Sequence, residues 1–220
     1  MLESLKIKYN YPTYPINRIN NMRFYNISES ISVPSVTSIL RHTNQNNIPY
    51  SDLNKKTNSM EIGDLMHKYL DYYVSKNENF YLNSKNYEIA KSLAHIIIDN
   101  FLNDVDEIWG TEVPVLYKDK YAGTIDLIGI VDNKLSIIDY KSSYRKKTDE
   151  EMHEYFLQLA AYSIAHDWQH KTEITSIIIF LSLRNGDFEK TVISYEELST
   201  YQDMWFERLK LFENKYKTNV

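Results

Sequence analysis

Apolar residues recur at three- and four-residue spacing in some stretches of the chain. In others they alternate or run together, and this separates helices from strands. A helix starts at VPSVTSIL, opened by Pro34 or Ser35, with Val36, Ile39 and Leu40 as its apolar edge. A stronger amphipathic pattern covers about Ser59 to Lys76, through Ile62, Leu65, Met66, Tyr69, Leu70 and Tyr73. Another runs from about Asn86 to Asn103, with Ile89, Leu93, Ile96, Ile97 and Phe101 inward. The period then shortens. Glu112–Tyr117, Tyr121–Val131 and Lys134–Lys141 are β-branched and read as strands.

Asp149–Asp167 is helical again, its acidic start suiting the positive end of the helix. Ile174–Leu183 and Phe188–Ile193 flank Asn185-Gly186, which predicts a two-residue hairpin turn. Ser194 and Glu197 form a capping box that opens a last helix through Met204, Trp205 and Phe212. Residues 43–58, with Pro49, are expected as a loop. Residues 1–32 contain Pro12 and Pro15 and are expected as an irregular arm with extended pieces at Leu5–Tyr9 and Met22–Ile27. The predicted organisation is this arm followed by one domain, 33–220, of α/β (α+β) class: a sheet with helical cover.

Composition narrows the chemistry. With 220 residues the chain can bury a full core, and 43% hydrophobic against 25% charged residues excludes a disordered chain. The absence of cysteine excludes disulfides, thiolate zinc, iron–sulfur clusters and a cysteine nucleophile. None of the five glycines builds a GxGxxG or GxxxxGK[ST] loop, so no nucleotide cofactor is expected. No apolar run nears the ~20 residues of a membrane span, and the N-terminus resembles neither a signal nor a transit peptide. A cytoplasmic protein without a membrane partner is expected. The net charge of −5 is unevenly spread: residues 1–60 carry +4 and the remainder −9. A local basic region can hold a polyanion whatever the total charge.

The segment GTIDLIGIVDNKLSIIDYKSS, Gly123 to Ser143, carries the chemistry. If Asp132-Asn133 is the tip of a hairpin, Val131 faces Lys134 and Asp126 faces Asp139 on one side of the sheet. A three-residue loop would separate them. Lys141, two residues beyond Asp139, shares its face. Like charges directly opposite destabilise a sheet, and the neighbours Ile125, Leu127, Ile137 and Ile138 are apolar. A hard cation, Mg²⁺ or Mn²⁺, compensates such a pair. Lys141 can then orient a water or stabilise charge on a phosphate. The basic run Arg145, Lys146, Lys147 that follows can neutralise phosphates of a bound strand.

GTID, then IIDYK, then Gln158-Leu-Ala-Ala-Tyr162 resembles the PD-(D/E)xK nuclease superfamily in its RecB-type branch. The full order of VPSVTSIL, Gly63-x-x-x-His67, Glu112-Val-Pro, GTID, IIDYKSS and QLAAY is most similar to the mitochondrial genome maintenance exonuclease family and its bacterial and phage relatives. The resemblance implies a restriction-endonuclease-like fold, a central mixed β-sheet flanked by helices. It implies Asp126 and Asp139 as metal ligands with the backbone carbonyl of Tyr140, and Lys141 as the catalytic lysine. It also implies His67 as a helical metal ligand with Gly63 leaving room beside it, and Glu112 as an acid in metal binding or lysine positioning. Gln158 and Tyr162, one turn apart, would hold the active strand or touch the DNA backbone. Ser35, Thr37 and Arg41, with Ser142 and Ser143, would lie on the DNA path; capping is the other role open to Ser35.

The expected function is a Mg²⁺- or Mn²⁺-dependent exonuclease on single-stranded DNA in a bacterial or phage-infected cell, with replication or recombination proteins as partners. A structure-specific or flap endonuclease, and a non-catalytic DNA-binding module, are the alternatives. The intact Asp126, Asp139 and Lys141 set speaks against the module. Against the wider superfamily there are no cluster cysteines and no helicase motor, and the second acid, often Glu, is the shorter Asp139, which agrees with the mitochondrial type.

Overall fold

The computed structural model describes residues 8–44, 58–75 and 84–217. The arm is more regular than expected. Strands β1 (Ile16–Ile19), β2 (Met22–Asn26) and β3 (Ser32–Pro34) form an antiparallel sheet, and β1 turns into β2 through Asn20 and Asn21, both at positive φ. Asparagine tolerates this conformation, which a tight hairpin turn demands. The expected extended piece at Leu5–Tyr9 lies mostly outside the described residues. β3 crosses the expected domain boundary at residues 32 and 33, and Tyr25 and Val33 share a small core with Ala122.

Helix α1 (Val36–Thr43) begins where Ser35 accepts a hydrogen bond from the Ser38 N–H at 3.1 Å. Helices α2 (Asn58–Val74) and α3 (Tyr87–Asn100) follow. Much of the expected 43–58 loop lies outside the described residues. Two apolar positions fall off the predicted stripes: Tyr73 and Ile89 are exposed, while Val74, Ala90, Ala94 and Ile98 are buried. The helices are rotated so that Val74, Ala90, Ala94 and Ile98 enter the core shared with the sheet, a choice that period alone leaves open.

The second sheet contains β4 (Glu107–Tyr117), β5 (Tyr121–Val131), β6 (Lys134–Ser143), β7 (Ser176–Leu183) and β8 (Phe188–Ile193), adjacent in that order. All pairs are antiparallel except β6–β7. Helix α4 (Asp149–His170) makes that parallel crossover, as such a connection requires. It opens on a capping box of Thr148 and Glu151 that the sequence reading missed. The Asn185-Gly186 turn is wider than two residues: Leu183 and Phe188 bound a loop of Arg184–Asp187, closed by the Leu183 N–H on the Asp187 carbonyl. Helix α5 (Tyr195–Lys217) closes the fold, with Glu197 accepting from both the backbone and the hydroxyl of Ser194.

Two cores flank the mixed sheet. One packs α1, α4 and α5 around Ile125, Ile137, Ile177 and Trp205. The other packs α2 and α3 against Leu127, Ile138, Ile178 and Phe180. No described helix is long and apolar enough to cross a membrane. The restriction-endonuclease-like mixed sheet with helices on both faces is therefore present as expected.

Gly123 has a steric reason to be glycine. A Cβ there would lie 2.1 Å from Cε1 of the buried Tyr162 ring. Gly123→Ala is expected to destabilise the protein by about 1–3 kcal/mol through overpacking, lowering the melting temperature by several degrees. An unchanged melting curve would show that the ring moves aside freely.

Candidate active site

The β5–β6 hairpin keeps the expected register. Asp132 and Asn133 both have positive φ, Val131 faces Lys134, and Leu127 faces Ile138. The ladder ends there. One step further Asp126 would face Asp139, but the strands part, and β6 continues beside β7. The Tyr140 N–H donates instead to Asp126 Oδ2 at 2.7 Å. A side-chain carboxylate has taken the place of a ladder carbonyl.

Side-chain alternation breaks at the same level. Ile125 and Leu127 are two apart, yet one lies in the α4 core and the other in the α2–α3 core. On β4, Val113 points into the α4 core, while the Thr111 hydroxyl donates to Asp71 of α2. Glu112 between them is left-handed, with φ 48°. For a non-glycine residue this conformation costs on the order of 1–3 kcal/mol. It lies across β5 from Asp126, and the two irregularities bring both carboxylates to His67 of α2. His67 Nδ1 is 3.2 Å from Asp126 Oδ1 and 3.9 Å from Glu112 Oε1. One ligand atom from each of His67, Glu112 and Asp126 lies within 4.8 Å of the others.

Asp139 has its own partners. Its Oδ2 is 2.6 Å from Lys141 Nζ, and its Oδ1 accepts from Gln158 Nε2 at 3.2 Å. Gln158 also donates to the Tyr162 hydroxyl at 3.2 Å, so the helical pair clamps the active strand from α4. Lys141 Nζ is 4.7 Å from the centre of the Tyr155 ring, which adds a cation–π contact.

The electrostatics show a crowded anionic site. Burial, then the charge of Asp126, pushes the Asp139 carboxyl up to about 6, against the pull of Lys141. Burial and Asp126 push Glu112 up to about 7, with His67 opposing; its side chain is 45% exposed, and water tempers this rise. Burial works to lower His67, but Asp126 first, then Asp139 and Glu112, raise it to about 9. Burial also favours the neutral form of Asp126. His67, Lys141 and the Tyr140 N–H outweigh it and hold that carboxyl below its ordinary value. Two carboxylates are thus short of positive charge, and His67 would give up its extra proton on ligating a cation. An imidazole nitrogen with carboxylate oxygens is a donor set that a divalent cation fits, and the surplus of negative charge is what such an ion neutralises.

The structure sorts the remaining expected residues. A groove of about 960 Å³ runs past the cluster, lined on the way by Thr37, Arg41, Ser142, Gln158 and Tyr162. Ser35 is fully buried and serves as the cap of α1, out of reach of a strand in the groove. Ser143 does not line the groove; its hydroxyl accepts from the Arg145 N–H. Arg145 and Lys146 also lie off it, ion-paired with Glu151 and Glu189. Gly63 provides less than expected: an added Cβ would sit 3.7 Å from Ser142 Oγ, an ordinary contact. Tyr162 is buried, with its hydroxyl accepting from Gln158. Of the expected ligands, His67 and Asp126 lie within ligand distance of each other together with Glu112, and Asp139 and Tyr140 lie beside them on β6. Sequence reasoning missed Arg18, Arg23, Lys68 and Asp71, all of which line the groove. The positive charge of residues 1–60 was the signal for the arginines.

The backbone at Glu112 generates a test. Glu112→Gly and Glu112→Ala both remove the carboxylate, but only alanine keeps a Cβ in the left-handed region. The glycine variant is expected to be more stable by about 1 kcal/mol in urea unfolding, the reverse of the order in a regular strand. Both should lose Mn²⁺ affinity. An alanine variant as stable as the glycine one would remove the strain.

Comparison with known proteins gives the family. A family model described as the PD-(D/E)XK nuclease superfamily matches residues 81–212, more than half of the chain. Among solved structures, a protein from Eubacterium rectale assigned as an exonuclease aligns with a TM-score of 0.48 and 14% identity, over 73% of this chain and 69% of that one. A phage-related exonuclease from Haemophilus somnus 129PT aligns with a TM-score of 0.42 and 13% identity, over 84% and 95%. No curated protein matches the sequence. The match takes in the forked hairpin, the lysine beside it and the helix that clamps it, and the chain belongs to the PD-(D/E)XK nuclease superfamily.

Proposed function

We propose that the protein is a divalent-cation-dependent DNA exonuclease that degrades single strands from a free end. The supporting observation is the cluster of His67, Glu112, Asp126, Asp139 and Lys141 along an open groove. His67, Glu112 and Asp126 would hold the cation, Mg²⁺ or Mn²⁺, with Asp139 beside them. Such an ion supplies a water of lowered pKa and positive charge against the phosphate oxygens. Preference for single strands and free ends rests on the order of motifs from VPSVTSIL to QLAAY and its similarity to the mitochondrial genome maintenance exonuclease family.

The chain's own residues have distinct tasks. Lys141 approaches from the Asp139 side, where its ammonium can orient a water or bind a non-bridging phosphate oxygen as charge develops. Gln158 fixes the Asp139 carboxylate, so Lys141 moves against a rigid partner. His67 first, then Lys141 and the Tyr140 N–H, keep Asp126 ionised, and the Tyr140 N–H holds its Oδ2 while Oδ1 faces His67. Thr111 and Asp71 pin the backbone just ahead of Glu112.

End-labelled linear and circular single-stranded DNA, each with Mg²⁺, Mn²⁺ or a chelator, tests the proposal. Metal-dependent loss of the linear substrate alone is expected. Cutting of the circle would replace the exonuclease with an endonuclease, and no cleavage with retained binding would leave a DNA-binding module. Asp139→Ala should abolish cleavage and spare DNA binding; cleavage at the parent rate would refute the assignment of that carboxylate. Lys141→Ala should lower the single-turnover rate by about 10²–10³-fold, the usual effect of removing one preorganised donor.

A further inference from the structure

The end of the groove beyond α1 repeats, with opposite sign, the problem of the two aspartates. Arg18 of β1 and Arg23 of β2 are direct cross-strand partners. Like charges so placed destabilise a two-stranded ladder. Both line the groove, and neither has an ion pair with a carboxylate among the described residues. Arg23 is held in place all the same. Its Nη2 donates to Thr37 Oγ1 at 3.2 Å, its guanidinium lies 5.6 Å from the Tyr25 ring centre, and its Nε is buried without a hydrogen-bond partner. Arg41 joins them by donating to the Asn21 carbonyl at the hairpin turn, 3.2 Å away.

This group is tied to the catalytic strand. The Tyr25 hydroxyl is 3.0 Å from Thr124 Oγ1, and Thr124 precedes Asp126 by two residues. Two strand residues span about 7 Å. The arginines therefore occupy the same groove as the cleavage site, which Asp64, Lys68 and Asp71 of α2 also line.

We infer that Arg18 and Arg23 form a phosphate clamp, with Thr37 and Arg41 at its base, that grips the sugar–phosphate backbone of the substrate strand beside the scissile bond. This rests on the proposal that DNA is the substrate. The anion bridging Arg18 and Arg23 supplies the countercharge that the hairpin lacks, and the guanidinium fork matches phosphate oxygens. The clamp reads internal phosphates, so it acts on any sequence.

Binding of a labelled single-stranded oligonucleotide, followed by fluorescence anisotropy in chelator between 50 and 200 mM salt, tests the clamp. For Arg18→Ala/Arg23→Ala, affinity at 100 mM salt should fall at least tenfold. The slope of log affinity against log salt should shrink by about 0.7 for each lost phosphate contact. Arg18→Lys/Arg23→Lys should recover most of the slope. The alanine pair also loses the Arg23 contacts with Thr37 and Tyr25, so the lysine pair, which keeps both charges, separates charge from packing. An unchanged slope in the alanine variant would overturn the clamp. So would a parent whose affinity falls tenfold when a terminal phosphate is removed while the variant is indifferent, since the arginines would then read an end. A parent protein that neither binds nor cleaves DNA would refute the function on which the clamp rests, whatever the variants do.

Discussion

Negative charge gathered at the end of a β-ladder repels itself, and much of the local architecture responds to that repulsion. Two unit charges 4 Å apart interact by about 4 kcal/mol at the effective dielectric of a protein surface. Glu112 and Asp126 offer ligand atoms within 4.8 Å of each other, Asp139 lies on the adjoining strand, and the protein places one cation on each side of them. His67 comes from α2 on one face, and Lys141 lies on the α4 side with Asp139. The strands part where the carboxylates would meet, and a backbone N–H that would serve the ladder stabilises Asp126 instead.

The sheet and the helices share the task of holding this arrangement. Residues beyond the fork need anchors that a regular ladder would have supplied. Gln158 anchors Asp139 from α4, and Asp71 anchors Thr111 from α2. Both helices have deep apolar cores behind them, so the polar contacts are made by elements that cannot drift. Glu112, the most exposed of the three acids, sits where the backbone departs furthest from strand geometry. Strain at a liganding position is tolerated because its neighbours are fixed on both sides.

The hairpin register was legible because a two-residue turn sets parity, and parity alone decides which residues face one another. Asp126, Asp139 and Lys141 could therefore be placed from spacing. The end of the ladder one step short of the aspartates could not, since the spacing within a hairpin sets its register and not the point at which its strands part. Glu112 shows a different limit: nothing in a glutamate within a strand signals a positive φ. The first half of β4 was hidden by the acidic residues around Asp104–Glu107 and by Gly110. The arginines of the arm were visible only as local charge, because four- and five-residue strands hold too few positions to display a period. Ser35 was read as either a cap or a DNA contact, and its burial leaves the cap.

The fork has a consequence for the opposite flank of β5. Once β6 departs, residues 121–126 of β5 keep β4 on one side only, and Ser35 bridges to Ala122 on the other. The N-terminal sheet fills that gap, its Tyr25 and Val33 covering Ala122. A chain trimmed to its family-matched core would expose an unsatisfied strand margin beside Asp126, an invitation to intermolecular pairing. The arm thereby guards the solubility of the fold it precedes.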